Sequence, residues 1–213
     1  MPPLLHRLLL ILLAGVLPLA IAHAADSSAP PPPFQEGKDY IRLSTAVPPA
    51  APDKAEVVEL FSYTCPHCRD LEPTVREWLK RKPDNVVFVQ IAVAFGANWE
   101  PSARAYYAAQ ALGVLDKVHQ PLFEAIHREK RKLSTEDELA AFFAEQGVDQ
   151  DVFRKAYKSF QTETQLRRGN QLAQRYGVRG VPAVIVNGQY DVRSPQIFEV
   201  VDFLIAKPVV PQS

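Results

Sequence analysis

Two nearly unbroken apolar runs, Glu56-Val57-Val58-Glu59-Leu60-Phe61 and Val86 to Val93, flank a segment from Pro66 to Lys82 with helical spacing. Runs of this kind, rich in β-branched residues, predict central strands covered on both faces. The strand, helix, strand order predicts a βαβ unit, since two parallel strands need a crossover between them. Pro73 inside the helical segment predicts a kink.

The pattern then turns wholly helical. Pro101 to Leu112 is Ala-rich, and Val114 to Glu129 carries Val118, Leu122 and Ile126 at helical spacing. Thr135-Glu136-Asp137-Glu138 is a capping box ahead of Leu139, Phe142 and Phe143. Phe153, Tyr157 and Phe160 read as one apolar stripe, and Leu166, Ala173 and Tyr176 mark a further helix stopping at Gly177. Such aromatic stripes predict core packing ahead of a cofactor box. Strands return at Ala183-Val184-Ile185-Val186 and Gln189-Tyr190-Asp191-Val192. Asn187-Gly188 between them predicts a two-residue hairpin turn. A final helix from Pro195 to Ala206 should bury Ile197, Val200, Val201 and Leu204. The predicted class is α/β: a βαβ…ββα frame with an inserted all-helical domain over about 97–165.

The N-terminus does not belong to this frame. Arg7 precedes an apolar run from Leu8 to Ala22, followed by the small-residue pattern Ala22-His23-Ala24. Residues 1–24 read as a secretory signal peptide cleaved after Ala24; the run is short for a membrane span and contains Pro18. Residues 25–39, with four consecutive prolines, read as a flexible tether, and 40–213 as the folded domain. Lys plus Arg and Asp plus Glu both number 24, so the chain carries no electrostatic footprint for nucleic acid. Losing Arg7 with the leader leaves one acid in excess.

The sequence has two cysteines, Cys65 and Cys68, which excludes a disulfide-dense scaffold. Export would put both in a compartment where disulfides persist. Cys65-Pro66-His67-Cys68 follows the first long strand directly, so Cys65 should sit at a helix N-terminus with Pro66 at the first helical position. Unpaired N–H groups and the helix dipole there favour a thiolate, by at most about 2 kcal/mol. Any larger effect must recruit other groups, and His67 is the nearest cation. A structural disulfide, a zinc site and two inert thiols are the alternatives. A loop of about four residues stabilises by roughly 2 kcal/mol against about 4.7 for a hundred-residue loop, which makes a poor staple. Zinc wants four ligands; beyond the cysteines, His119 and His127 lie in the helical block, and no metal is expected.

The Cys-Pro-His-Cys junction, the helical block within a βαβ…ββα frame and Arg179-Gly180-Val181-Pro182-Ala183 leading into a strand together resemble the DsbA family. These are periplasmic thiol:disulfide oxidases of the thioredoxin superfamily. The resemblance runs from about Phe34 onward and takes in Glu36-Gly37-Lys38 and Ala111-Leu112-Gly113-Val114. It implies a thioredoxin fold in which Cys65 is the exposed sulfur attacked by a substrate thiolate, Cys68 its buried partner, and Val181-Pro182 a cis-proline turn that binds extended substrate. By sequence alone a trans bond would be the commoner state for Pro182. Glu59, interrupting an apolar run, reads either as a buried proton acceptor or as a solvent-facing strand residue. Where relatives often place a lysine opposite this acid, the chain has Gln90. The second disulfide frequent in the family is missing.

The implied activity is donation of the Cys65-Cys68 disulfide to newly exported proteins, with no cofactor beyond the cysteine pair. Partners would be reduced exported proteins and a DsbB-like membrane quinone reductase, with the chain acting as a monomer. Disulfide isomerisation or reduction is the rival enzymatic reading. A nonenzymatic metal-delivery or peptide-binding module is the rival of a different class.

Overall fold

The structure, a computed structural model, describes residues 32–50 and 54–207. The leader and most of the proline-rich segment lie outside the described residues. The frame opens with β1 (Tyr40–Arg42), β2 (Ala55–Phe61), α1 (Pro66–Arg81) and β3 (Val86–Ala92). The helical block follows as α2 (Glu100–Ala111), α3 (Leu115–His127), α4 (Glu136–Glu145) and α5 (Gln150–Tyr157), leading into α6 (Phe160–Arg175). The chain returns to the sheet with β4 (Ala183–Val186) and β5 (Tyr190–Val192) and ends on α7 (Ile197–Ile205).

The five strands are ordered β1-β5-β4-β2-β3, with β2 parallel to β3 and antiparallel to β4. Period-two alternation sorts β2 between two cores. Val57 packs with Val75 and Trp78 of α1 and Phe198 and Val201 of α7. Val58 and Leu60 point the other way, onto Ala173 and Tyr176 around α6. Phe61 and Tyr63 continue into a third cluster built from the helical block. Glu59 therefore shares the α1 side of the sheet with Val57 and Phe61. Trp78 stacks on Phe198 at 4.9 Å and donates its indole N–H to Asp202 at 2.8 Å, joining α1 to α7. Phe34 packs edge-on against Phe203, so the ordered frame reaches ahead of β1.

Several expectations need correction. β3 is an edge strand, half-buried over most of its length, because α2 and α6 cover it while one of its edges stays unpaired. Phe160 does not extend the Phe153–Tyr157 stripe: Ser159 caps a new helix by accepting from Thr162 N–H, and Phe160 is 80% exposed at its first position. In α7 Val200, Val201 and Leu204 are buried as expected, but Phe198 is the fourth buried residue and Ile197 is only half-buried. The Asn187-Gly188 turn has left-handed φ at both residues, but pairing resumes at Val186 with Tyr190, leaving a three-residue loop. The loop also holds the segment after β1. Gln189 and Gly188 carbonyls accept from Leu43 and Val47 N–H at 2.8 and 2.9 Å. A Cβ at Gly188 would meet the Val47 carbonyl oxygen at 1.8 Å. The capping box is present as expected, with Thr135 and Glu138 reciprocally bonded.

Candidate active site

β2 carries the chain to Phe61, and the turn Ser62–Thr64 delivers Cys65 as the N-cap of α1, with extended backbone (φ −87°, ψ 117°) and Pro66 in the first turn. Proline is tolerated there because its missing N–H would have no intrahelical partner. No side chain caps this helix, and no acid occupies its first turn. The main-chain N–H groups at the helix start are thus left to the cysteine sulfur. Cys65 is half-buried, Cys68 is 1% exposed, and both thiols are free. Pro66 and His67 face solvent.

The two thiols have opposite electrostatics. A hydrogen bond from the Cys68 thiol is the largest influence lowering the Cys65 pKa to about 6. Burial opposes it, and the main-chain N–H groups of Cys68 and His67 and then the His67 charge assist. His67 contributes by backbone as well as charge, but behind Cys68. The same thiol–thiol bond, then burial, pushes Cys68 far above the ordinary cysteine range, and negative charge on Cys65 and Glu59 adds to the shift. Of the pair, Cys65 ionises first. Its Sγ lies 3.3 Å from the Val181 carbonyl oxygen, and the Val181-Pro182 peptide is cis. This loop, 116 residues away in sequence, is thereby placed over the reactive sulfur.

Beneath the cysteines lies a buried polar cluster. Glu59 is 1% exposed, and the β2–β3 register sets it opposite Gln90, whose amide donates to Glu59 Oε2 at 2.9 Å. Burial raises the Glu59 pKa to about 8; the Gln90 hydrogen bond pulls it down and the Glu72 charge pushes it up. Gln90 also reaches Glu72 Oε2 at 3.5 Å, and Glu72 meets His119 Nε2 at 3.3 Å. An amide here supplies N–H donors without the charge of an ammonium, so it offsets only part of the burial that disfavours the Glu59 carboxylate. Among the described residues no three His, Cys, Asp or Glu side chains group so as to hold a metal ion.

A model of the DSBA-like thioredoxin domain matches residues 94–204, from just after β3 to the end of α7. A thiol:disulfide interchange protein DsbA from Azotobacter vinelandii is 41% identical over 179 residues, covering 84% of this chain and 83% of that one. The chain belongs to the DsbA family. The crystal structure of Pseudomonas aeruginosa DsbA superposes with a TM-score of 0.76 at 40% identity, covering 81% of this chain and 93% of that one. The oxidoreductase DsbA from Xylella fastidiosa gives 0.75 at 35% identity, covering 80% and 95%. The fold is accordingly the DsbA thioredoxin fold with its helical insertion, and the chain is a thiol:disulfide oxidoreductase.

Sequence reasoning missed four residues that the structure gathers beside the cysteines and Glu59. Tyr63 and Glu72 carry no mark in the sequence that singles them out. His119 and His127 are considered only as metal ligands. One signal was available: Glu72 falls one turn beyond Cys68 on α1, which points it toward the same sheet face as Glu59.

Proposed function

We propose that this chain is a dithiol oxidase of exported proteins, passing its Cys65-Cys68 disulfide to reduced substrates through a mixed disulfide. A substrate thiolate attacks Cys65; the S–S bond breaks, and Cys68 departs and takes a proton. A second substrate thiolate attacks the substrate sulfur of the mixed disulfide, forming the substrate's disulfide and releasing Cys65 as thiolate. The substrate loses two electrons and the enzyme gains them. The observation carrying this reading is the asymmetry of the pair. A low-pKa Cys65 is a good leaving group, and a stabilised thiolate favours the reduced form, so the disulfide is strongly oxidising.

The remaining residues take supporting roles in this reading. Pro66 and His67 set the helix start and its positive potential around Cys65. Val181 and Pro182 present main chain to an extended substrate strand beside the sulfur. Glu59 gives a proton to departing Cys68 and accepts it back when Cys68 attacks during reoxidation. A DsbB-like quinone reductase of the membrane takes the electrons, and the protein works as a monomer. Residues 1–24 direct export to the periplasm, and the proline-rich stretch that follows is a tether ahead of a domain that begins at Phe34 and carries its insertion near 97–165. Intact-mass analysis of periplasmic material should find a chain starting at Ala25; a retained leader would overturn the export reading.

The chemical test is the thiolate titration of the reduced protein, followed by ultraviolet absorbance. One group should ionise with a midpoint near 6, and it should disappear in Cys65→Ser. Equilibration with glutathione should show a strongly oxidising pair. A midpoint in the ordinary cysteine range, or a disulfide as hard to reduce as a structural one, would reject the mechanism.

A further inference from the structure

Tyr63 stands two residues before Cys65, is fully buried, and has both of its hydrogen-bonding ends held by a single helix of the insertion. His127 Nε2 lies 2.7 Å from the Tyr63 carbonyl oxygen, and His119 Nδ1 lies 2.6 Å from its phenolic oxygen. Both histidines belong to α3, one in its first half and one at its last residue. A carbonyl can only accept, so His127 carries its proton on Nε2. Burial keeps the phenol protonated, so its O–H donates to His119 Nδ1. That leaves the His119 Nε2–H to donate to Glu72 Oε2, at 3.3 Å. These tautomers follow from the partners.

His119 is thus tied to positions on either side of the dithiol: two residues before Cys65 and four after Cys68. Its ring also sits among Phe61, Tyr63 and Phe123, with centroid distances of 5.4, 5.2 and 5.3 Å. Tyr63 is joined covalently to Ser62, whose carbonyl accepts from Cys65 N–H at 3.1 Å and whose N–H faces Cys68. A displacement of Tyr63 therefore moves main-chain groups that contact both cysteines.

We propose that His119 and His127 are positioning residues for the thiol chemistry, gripping Tyr63 at its hydroxyl and its carbonyl so that the Ser62–Cys65 turn holds both cysteines in their reactive arrangement. The insertion then tunes the redox pair as well as covering it. This rests on the reading of Cys65 and Cys68 as the redox pair.

The test uses the full mature chain and the variants Tyr63→Phe, His119→Leu, their double, His127→Leu and His127→Gln. Three quantities are read: the equilibrium constant with glutathione, the Cys65 thiolate midpoint and the melting temperature. Tyr63→Phe and His119→Leu should each make the pair less oxidising by about fivefold and raise the midpoint, and the double should equal either single. His127→Gln, whose amide can donate to the same carbonyl, should lie closer to the parent than His127→Leu. Lower melting temperatures with unchanged redox equilibrium and midpoint would overturn the proposal, as would additive effects in the double. Tyr63→Phe keeps the ring and decides the matter even if His119→Leu does not fold. A parent protein that is itself not oxidising would instead reject the dithiol-oxidase reading.

Discussion

Serine at position 65 is expected to abolish oxidation of a reduced, unfolded protein by the purified enzyme, while Cys68→Ser should leave a reactive thiolate that cannot complete a cycle. The two outcomes differ because the sulfurs differ in exposure and charge. Cys65→Ser leaves only Cys68, which is 1% exposed and whose burial still disfavours its thiolate once the Cys65 sulfur is gone, so it offers neither a nucleophile nor an accessible electrophile. Cys68→Ser leaves Cys65 at the helix start, open to disulfides in solution. Incubated with oxidised glutathione, its thiolate should take one glutathionyl group and expel the other as glutathione thiolate, and the adduct should persist because no neighbouring thiol resolves it. Mass spectrometry counts the adduct. Residual turnover in Cys65→Ser, or equal trapping on both single variants, would remove Cys65 from its assigned role.

The dithiol form of Glu59→Gln should gain stability over the parent as pH rises, by about 3 kcal/mol between pH 5 and pH 8. Glu59 has its pKa raised from 4.5 to about 8 by burial. Unfolded chains ionise this carboxyl above about 4.5, whereas the native one keeps its proton until about 8, so the native state binds more protons across that window. Stability then falls with increasing pH, and the contribution present below 4.5 is lost through 8. Glutamine does not titrate, and its carbonyl can still accept from Gln90. Cys65 runs the opposite way, gaining stability above about 6, but it is common to both proteins and cancels in the comparison. Urea unfolding of the reduced forms at the two pH values measures the difference; a constant difference would mean that Glu59 is ionised in the folded protein.

Much of this site could be read without coordinates. Cys65 at the helix start follows from strand, cysteine and proline in succession, and Glu59 is exposed as unusual by the apolar residues around it. The capping box at Thr135 is a local signal and was realised locally. Other features were hidden because they depend on distant partners. An apolar run such as Val86 to Val93 shows that the faces of a strand are covered but says nothing about whether its edges are paired, which is why β3 looked central. Phe160 kept helical spacing while Ser159 restarted the helix around it. The Tyr63 contacts come from α3, 56 and 64 residues along the chain, and histidines at those positions carry no local sign of their targets.

Both sulfhydryls in this sequence sit within a single turn of one helix, and no cystine braces the scaffold elsewhere. The architecture is held by noncovalent contacts alone, so a reductant strong enough to empty the catalyst leaves the frame without a covalent tie to lose. Equally, a thiolate roaming its surface finds no second bridge to shuffle. A protein whose trade is exchanging such bonds is thereby spared from rearranging itself.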